Sequence, residues 1–410
     1  MAHGHFLTRN RVLRLYQACP TWHNSATMTL ITDQKSLDAF CAAMAQEPYV
    51  TIDTEFLRES TYWPQLCLVQ IAGADRAAAI DPLAQGLDLA PILDLLANEA
   101  VLKVFHSARQ DIEIFVQLTG TVPTPVFDTQ IAAMVCGFGE SIGFEALVTR
   151  LTGERVDKSS RFTDWSLRPL SDKQLAYALA DVTLLRPAYE ALRDDLARNG
   201  REAWLSEEVE TLTDKETYIT RPEDAFRRIK TRSTDRKALS VLQHVAAWRE
   251  REAQDRDMPR GRILRDEPLV DIAMRAPRTV EELAKTRGIA PTMARGKQGA
   301  AILQAIADGV AVPADKRPKV NARPASSDNG GGVLEMLKVL LKMTCEQHKV
   351  AQKLVANTAD LERLVNEKAP DIPALSGWRR EIFGQQALDL REGRLALSIK
   401  DGAVQVHHLH

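Results

Sequence analysis

Four carboxylates and one phenol carry the strongest chemical signal in this chain. Asp53 and Glu55 lie two residues apart in VTIDTEF, residues 50–56. Read as a strand, this stretch points Val50, Ile52 and Phe56 to one face and both acids to the other. Two acids side by side on a rigid strand repel each other and lose hydration together, and a cation between them relieves both costs. Such a pair is half of a magnesium or manganese site. The alternative is a solvated edge strand with two ordinary acids. Asp111 follows the strand-like FHSARQ and falls early in a helix, where the helix dipole also favours an acid. Tyr177 and Asp181 stand at i and i+4 in YALAD, neighbours on one helix face. Four acids on three elements suit two divalent cations about 3.5–4 Å apart, the arrangement used for in-line attack on phosphodiesters.

Several elements must position these groups. From Met28 the pattern is mixed α/β. Asp33–Met44 reads as an amphipathic helix with Leu37, Phe40 and Cys41 on one side. QLCLVQI, residues 65–71, is nearly all apolar and suits a strand covered on both faces. Ala77–Ile80 is a short strand stopped by Asp81-Pro82, Leu87–Leu96 is helical, and Val101–Phe105 is another strand. Asp128 fits the N-cap of a helix through Met134, a structural role. Ser171 and Gln174 form an S-x-x-Q capping box that fixes the start of a long helix from Asp172 to about Arg198. Leu175, Leu179 and Val182 lie on a different face of that helix from Tyr177 and Asp181.

The length of 410 residues exceeds one compact core, and about two or three domains are expected. Apolar content of 45% and charged content of 26% are ordinary for a globular chain, and no apolar run reaches membrane-spanning length. Five scattered cysteines without a CxxC pair argue for a reducing compartment, here the cytoplasm. Residues 1–27 hold three arginines and no acid and read as an N-terminal extension without a role. Thr211–Ile229 reads as a linker, residues 234–308 as a helical block, and 311–332 as a second, flexible linker rich in Pro, Ser, Asn and Gly. A last helical block runs from Val333 to about Gly402.

The order DTEF, Asp111, YALAD resembles the tyrosine subgroup of the DEDD exonuclease superfamily. The surrounding text is similar to its ribonuclease D branch: RESTYWPQLCLVQIA from Arg58, IDPL from Ile80, KVFHSARQD from Lys103, FDTQIA from Phe127 and DWSLRPLSDKQLAYALAD from Asp164. Residues 238–252, 258–273 and 279–289 resemble an HRDC domain, and 333–365 with 377–397 look like a divergent second such module. The resemblance implies an α/β exonuclease domain at 28–215, with a ribonuclease H-like mixed sheet flanked by helices. Two all-α HRDC-type domains at 228–312 and 333–408 would follow, joined by a linker at 313–332. It further implies 3′-to-5′ hydrolysis of RNA to nucleoside 5′-monophosphates by a monomer, with precursor tRNA the expected substrate. One metal would be held by Asp53, Glu55 and Asp181 and bind the attacking water. A second would be held by Asp53 and, through water, Asp111. Tyr177 would orient the water or take its proton. His106 takes no such part, because Tyr177 occupies the third motif. Arg58, Gln70, Phe56 and Trp63 are possible substrate contacts with an equally good structural reading. A DNA-directed exonuclease and a nucleic-acid-binding scaffold remain the alternatives.

Overall fold

The sheet that carries Asp53 and Glu55 has six strands in the order β1-β4-β3-β2-β5-β6. In this computed structural model residues 27–157, 159–319 and 330–409 are described. The strands are β1 (Thr27–Ile31), β2 (Tyr49–Leu57), β3 (Gln65–Ala72), β4 (Arg76–Ile80), β5 (Leu102–Phe105) and β6 (Val126–Asp128). β1 pairs parallel with β4, β2 with β5, and β5 with β6, whereas β3 runs antiparallel to β4. The sheet is therefore mixed. β2 lies inside it, and Val50, Thr51 and Ile52 are all fully buried. The solvated edge strand is excluded, and the two acids sit on a strand covered on both faces.

Among the described residues, eight helices accompany the sheet: α1 (Gln34–Met44), α2 (Ala90–Ala97), α3 (Arg109–Thr119), α4 (Thr129–Val135), α5 (Phe144–Thr152), α6 (Asp172–Thr183), α7 (Leu185–Asn199) and α8 (Glu202–Thr213). α6 packs on β4, where Ala77, Ala78 and Ala79 are fully buried and leave room for a close approach. The long helix expected from Asp172 to Arg198 is two helices, broken at Leu184. Pro187 supplies the reason: it has no N–H for the carbonyl of Thr183, and its ring crowds that turn.

Of the described residues, those through Glu55, Leu66–Thr217 and 330–409 form one compact unit. Its C-terminal part contains α15 (Gly330–His348), α16 (Gln352–Val355), α17 (Thr358–Asn366), α18 (Gly377–Arg379), a π-turn at Arg380–Gly384 and α19 (Gln385–Arg391). Trp378 stacks on Trp204 of α8 with ring centroids 4.2 Å apart, and Arg379 bonds Glu207 at 2.8 Å. The all-α expectation for this block fails at its end. Leu395–Lys400 and Ala403–His408 are strands β7 and β8 of an antiparallel hairpin. Asp401 and Gly402 both have positive φ, 54° and 76°, as a two-residue type I′ hairpin turn requires.

The second unit holds Phe56–Gln65 and residues 218–319. Its axis is α9 (Arg236–Asp255), surrounded by α10 (Arg260–Ile263), α11 (Asp266–Arg275), α12 (Val280–Leu283), α13 (Pro291–Arg295) and α14 (Lys297–Ala311). Gly309 of α14 meets α9 so closely that a Cβ there would lie 2.7 Å from Val241 Cα. The expected linker at 211–229 is largely structured. α8 runs to Thr213, and a 3₁₀ turn at Pro222–Arg228 leads Ala225 and Ile229 into the helical core. Tyr62 joins the same core. Its hydroxyl and Arg260 both bond the fully buried Glu250, while Asp257 accepts from the backbone N–H groups of Tyr62 and Trp63 at 3.0 and 2.9 Å.

Most of the N-terminal extension and residues 320–329 of the expected linker lie outside the described residues. Among the described residues no helix is long and apolar enough to cross a membrane. Cys41, Cys136 and Cys345 are free thiols.

Candidate active site

Three of the predicted acids converge. Carboxylate oxygens of Asp53, Glu55 and Asp181 lie within 4.8 Å of one another. β2 supplies the first two from one face of the strand, and Thr51 on that face bonds the carbonyl of Val182 at 2.7 Å, tying β2 to α6 beside Asp181. The start of α6 is fixed by the expected capping box, with both Ser171–Gln174 bonds present. Asp181 also accepts a hydrogen bond from the hydroxyl of Tyr177, one turn earlier.

Asp111 stands outside this trio but in the field of Asp53. It is buried in the first turn of α3 and accepts from Thr54 Oγ at 2.5 Å. The start of α3 is held by Asp128, whose carboxylate accepts from the backbone N–H groups of Ser107, Ala108, Gln130 and Ile131. This occupies both oxygens of Asp128 and agrees with its structural reading. His106 is likewise structural: its Nδ1 meets Thr129 Oγ at 3.0 Å and its ring packs edge-on to Phe144. Trp63 packs against the helical core with Tyr62. Gln70 is fully buried, with neither side-chain polar atom partnered in the protein. Thr51, Thr54 and Trp165, which packs on Tyr177 at 6.1 Å, escaped the sequence reading. Threonines on a strand carry no pattern of their own, and a tryptophan partner across a loop leaves no spacing to read.

The acids are held in a state that resists ionisation. Burial, then the neighbouring Asp181, raises the Asp53 carboxyl well above its usual range. Burial followed by Asp53, Asp181 and Asp111 pushes Glu55 up to about 10. Burial raises Asp181 to about 7, opposed by the Tyr177 hydrogen bond and by Arg161. Asp111 is raised by burial and by Asp53. Burial, then Asp181, Glu55 and Asp53, raises Tyr177 as well. Oxygen-only donors crowded in this way fit a hard divalent cation, whose charge reverses the penalty of ionising them.

A stability prediction follows from the sign of these shifts. The folded acids keep protons that the unfolded chain releases just above pH 4, so stability is greatest at the acid end and falls as pH rises. The window ends near 7 for Asp181 and near 10 for Glu55. In EDTA the melting temperature of the wild type, taken relative to Asp181→Asn, should therefore fall between about pH 4 and 7 and level off above that. Scanning calorimetry across that range decides it; a relative rise with pH would contradict the assignment.

Comparison with known proteins agrees with this geometry. The 3′-5′ exonuclease family profile matches residues 28–197, and the HRDC domain profile matches residues 238–306. Ribonuclease D of Nitrobacter hamburgensis is 52% identical over 377 residues, spanning 92% of this chain and 98% of that protein. Ribonuclease D of Granulibacter bethesdensis is 50% identical over 375 residues, spanning 90% and 94%. The crystal structure of Escherichia coli RNase D, described as an exoribonuclease involved in structured RNA processing, superposes with a TM-score of 0.78 at 29% identity. That match covers 90% of this chain and 99% of that one. A mixed sheet presenting clustered acids, the two matched domains and half-identical relatives along nearly the whole length lead to one assignment: the chain belongs to the ribonuclease D family and is a metal-dependent 3′-5′ exoribonuclease.

Proposed function

We propose that the enzyme trims RNA with a free 3′ end, precursor tRNA and other stable RNAs foremost, releasing nucleoside 5′-monophosphates. It works as a monomer in the cytoplasm with two divalent cations, magnesium or manganese. The convergence of Asp53, Glu55 and Asp181 carries this reading. The description of the E. coli relative as processing structured RNA supports the substrate class. We assign the exonuclease domain to 28–215, the HRDC domain to 228–312 and a divergent second module of that type to 333–408.

In this mechanism Asp53, Glu55 and Asp181 would hold one cation, and Asp53 with Asp111 the other. When bound, the pair offsets charge on the in-line transition state and lowers the pKa of the attacking water. Thr54 holds Asp111 in place, and Asp128 fixes the helix start behind it. Tyr177, donating to Asp181, orients that carboxylate and the water it faces. Burial and the neighbouring carboxylates push the Tyr177 phenol up, and bound cations would offset the carboxylate part of that rise, leaving burial to favour positioning.

Matched RNA and DNA oligonucleotides incubated with Mg²⁺, Mn²⁺ or EDTA test the proposal. Stepwise loss of 3′ nucleotides from RNA with either cation and none in EDTA is expected. Faster attack on DNA would favour the DNA-directed alternative, and binding without hydrolysis would favour a scaffold.

The helical unit is expected to grip phosphate, although less widely than its basic text suggests. Arg227, Arg249, Arg251, Arg256 and Arg260 pair with Asp224, Asp266, Glu223, Glu252 and Glu250. Lys230, Arg232 and Lys237 are exposed at the entry to the block. Replacing all three by Gln should flatten the log–log salt dependence of RNA affinity by about 2, since each single-strand phosphate contact contributes roughly 0.7. Affinity titrations over salt measure this, and an unchanged slope would remove these residues from the RNA path. Point changes are preferable to truncation near Arg221, because Phe56–Gln65 would lose the core in which Tyr62 is buried.

A further inference from the structure

Phe162 is 91% exposed, the most exposed large apolar side chain among the described residues. A lone exposed apolar residue is ordinary, but this one stands on a segment pinned along its length. Ser160 is buried, and its carbonyl accepts from the N–H and the hydroxyl of Thr163 at 3.2 and 2.8 Å. Gln174 of α6 donates to Thr163 Oγ at 3.2 Å. Trp165 is buried against Tyr177. Arg168 closes the segment with two bonds to Asp81, at 2.6 and 2.7 Å, and one to the carbonyl of Cys67 at 2.7 Å. These ties lead to the helix that carries Tyr177 and Asp181 and to the sheet. Between them the ring of Phe162 is held out in water, with the Arg161 guanidinium 5.3 Å from its centroid. Arg161 is also the cation whose field reaches the acid cluster, opposing the upward shifts of Glu55 and Asp181.

We propose that Arg161 and Phe162 form a clamp for the 3′-terminal nucleotide of the RNA, the ring stacking on a base and the guanidinium taking a phosphate oxygen. This rests on the exoribonuclease reading and adds the residues that seat the substrate end. The two side chains match the two chemistries of a nucleotide. Every base offers a π-face, so stacking tolerates any sequence, which an enzyme removing each nucleotide in turn requires. The planar guanidinium donates to phosphate in a fixed fork and also stacks on aromatic rings. Arg161 and Phe162 are both exposed, so their replacement leaves the core intact.

The test uses the full-length protein and a short single-stranded RNA carrying 2-aminopurine at its 3′ end, with EDTA present to prevent hydrolysis. Wild type should quench the fluorophore on binding. Phe162→Ala should bind about 5- to 150-fold more weakly, the equivalent of one lost base stack, and quench little. Phe162→Trp should restore both. On an RNA ending in an abasic ribonucleotide, Phe162→Ala should match wild type. Arg161→Gln should weaken both RNAs and reduce the salt slope by roughly 0.7, with partial recovery in Arg161→Lys. With Mg²⁺, Phe162→Ala should raise KM and leave kcat nearly unchanged. Unchanged affinity in Phe162→Ala, or equal losses on normal and abasic ends, would overturn the clamp. Failure of the wild type to hydrolyse RNA with Mg²⁺ would instead overturn the exoribonuclease mechanism, and the fluorescence result would still decide the clamp.

Discussion

Asp53→Asn and Asp181→Asn are each expected to abolish RNA hydrolysis while the protein stays folded. Each amide keeps the shape of the acid and removes a negative charge from a group of three carboxylates packed within 4.8 Å. A divalent cation bound there depends on that charge, because neutral oxygens give a hard cation far less than carboxylates do. In the absence of metal the same change is favourable. Burial raises both Asp53 and Asp181, the charge of Asp181 adds to the rise of Asp53, and an amide removes the cost of ionising either group at neutral pH. The variants should therefore melt a few degrees above wild type in EDTA near pH 8, where Asp181 is otherwise forced to ionise. Saturating Mg²⁺ should raise the wild-type melting temperature and leave Asp181→Asn nearly unmoved. Single-turnover hydrolysis and thermal melts, each with and without Mg²⁺, give the two readouts. Wild-type rates in either variant at saturating Mg²⁺ would remove these carboxylates from the mechanism. Loss of activity together with a drop in melting temperature in EDTA would mean that the acids act as structural groups.

The sequence made the site legible because each acid sat in a local pattern with its own physical meaning. Asp53 and Glu55 share the strand period, Tyr177 and Asp181 share the helix period, and the Ser171–Gln174 box fixes where that helix begins. What escaped depends on contacts far apart in the chain. Thr54 meets Asp111 across 57 positions, and Arg168 reaches Asp81 across 87. Tyr62 and Glu250 are separated by 188, which hid the membership of Phe56–Gln65 in the helical unit. Two other misses were local. LALSIK and AVQVHH alternate on either side of Asp401-Gly402, a hairpin signal that was overrun by the helical text before it. Pro187 likewise marks the break between α6 and α7, although the apolar pattern carries on through it.

Tyr177→Phe is expected to slow the chemical step by roughly 10²- to 10⁴-fold and to leave RNA affinity nearly unchanged. The ring stays, so its packing at 6.1 Å from Trp165 and its place on α6 are preserved. Only the hydroxyl is lost, and with it the hydrogen bond to Asp181. That bond lowers the Asp181 pKa, so its loss should shift the metal-dependent rate profile toward higher pH as well as lower it. This shift separates two roles for the phenol. A hydroxyl that orients Asp181 and the water leaves a residual reaction whose pH dependence follows the acids. A phenol acting as the base contributes a limb of its own, which disappears in Tyr177→Phe. Burial, the largest cause of the upward shift of that phenol, persists when cations offset the three surrounding carboxylates, so the first outcome is expected. The measurement is the single-turnover rate against pH at saturating RNA and Mg²⁺ for wild type and variant, with affinity measured separately in EDTA. A loss confined to affinity would make Tyr177 a substrate contact. Loss of an ionisation near neutral pH would return it to the role of base.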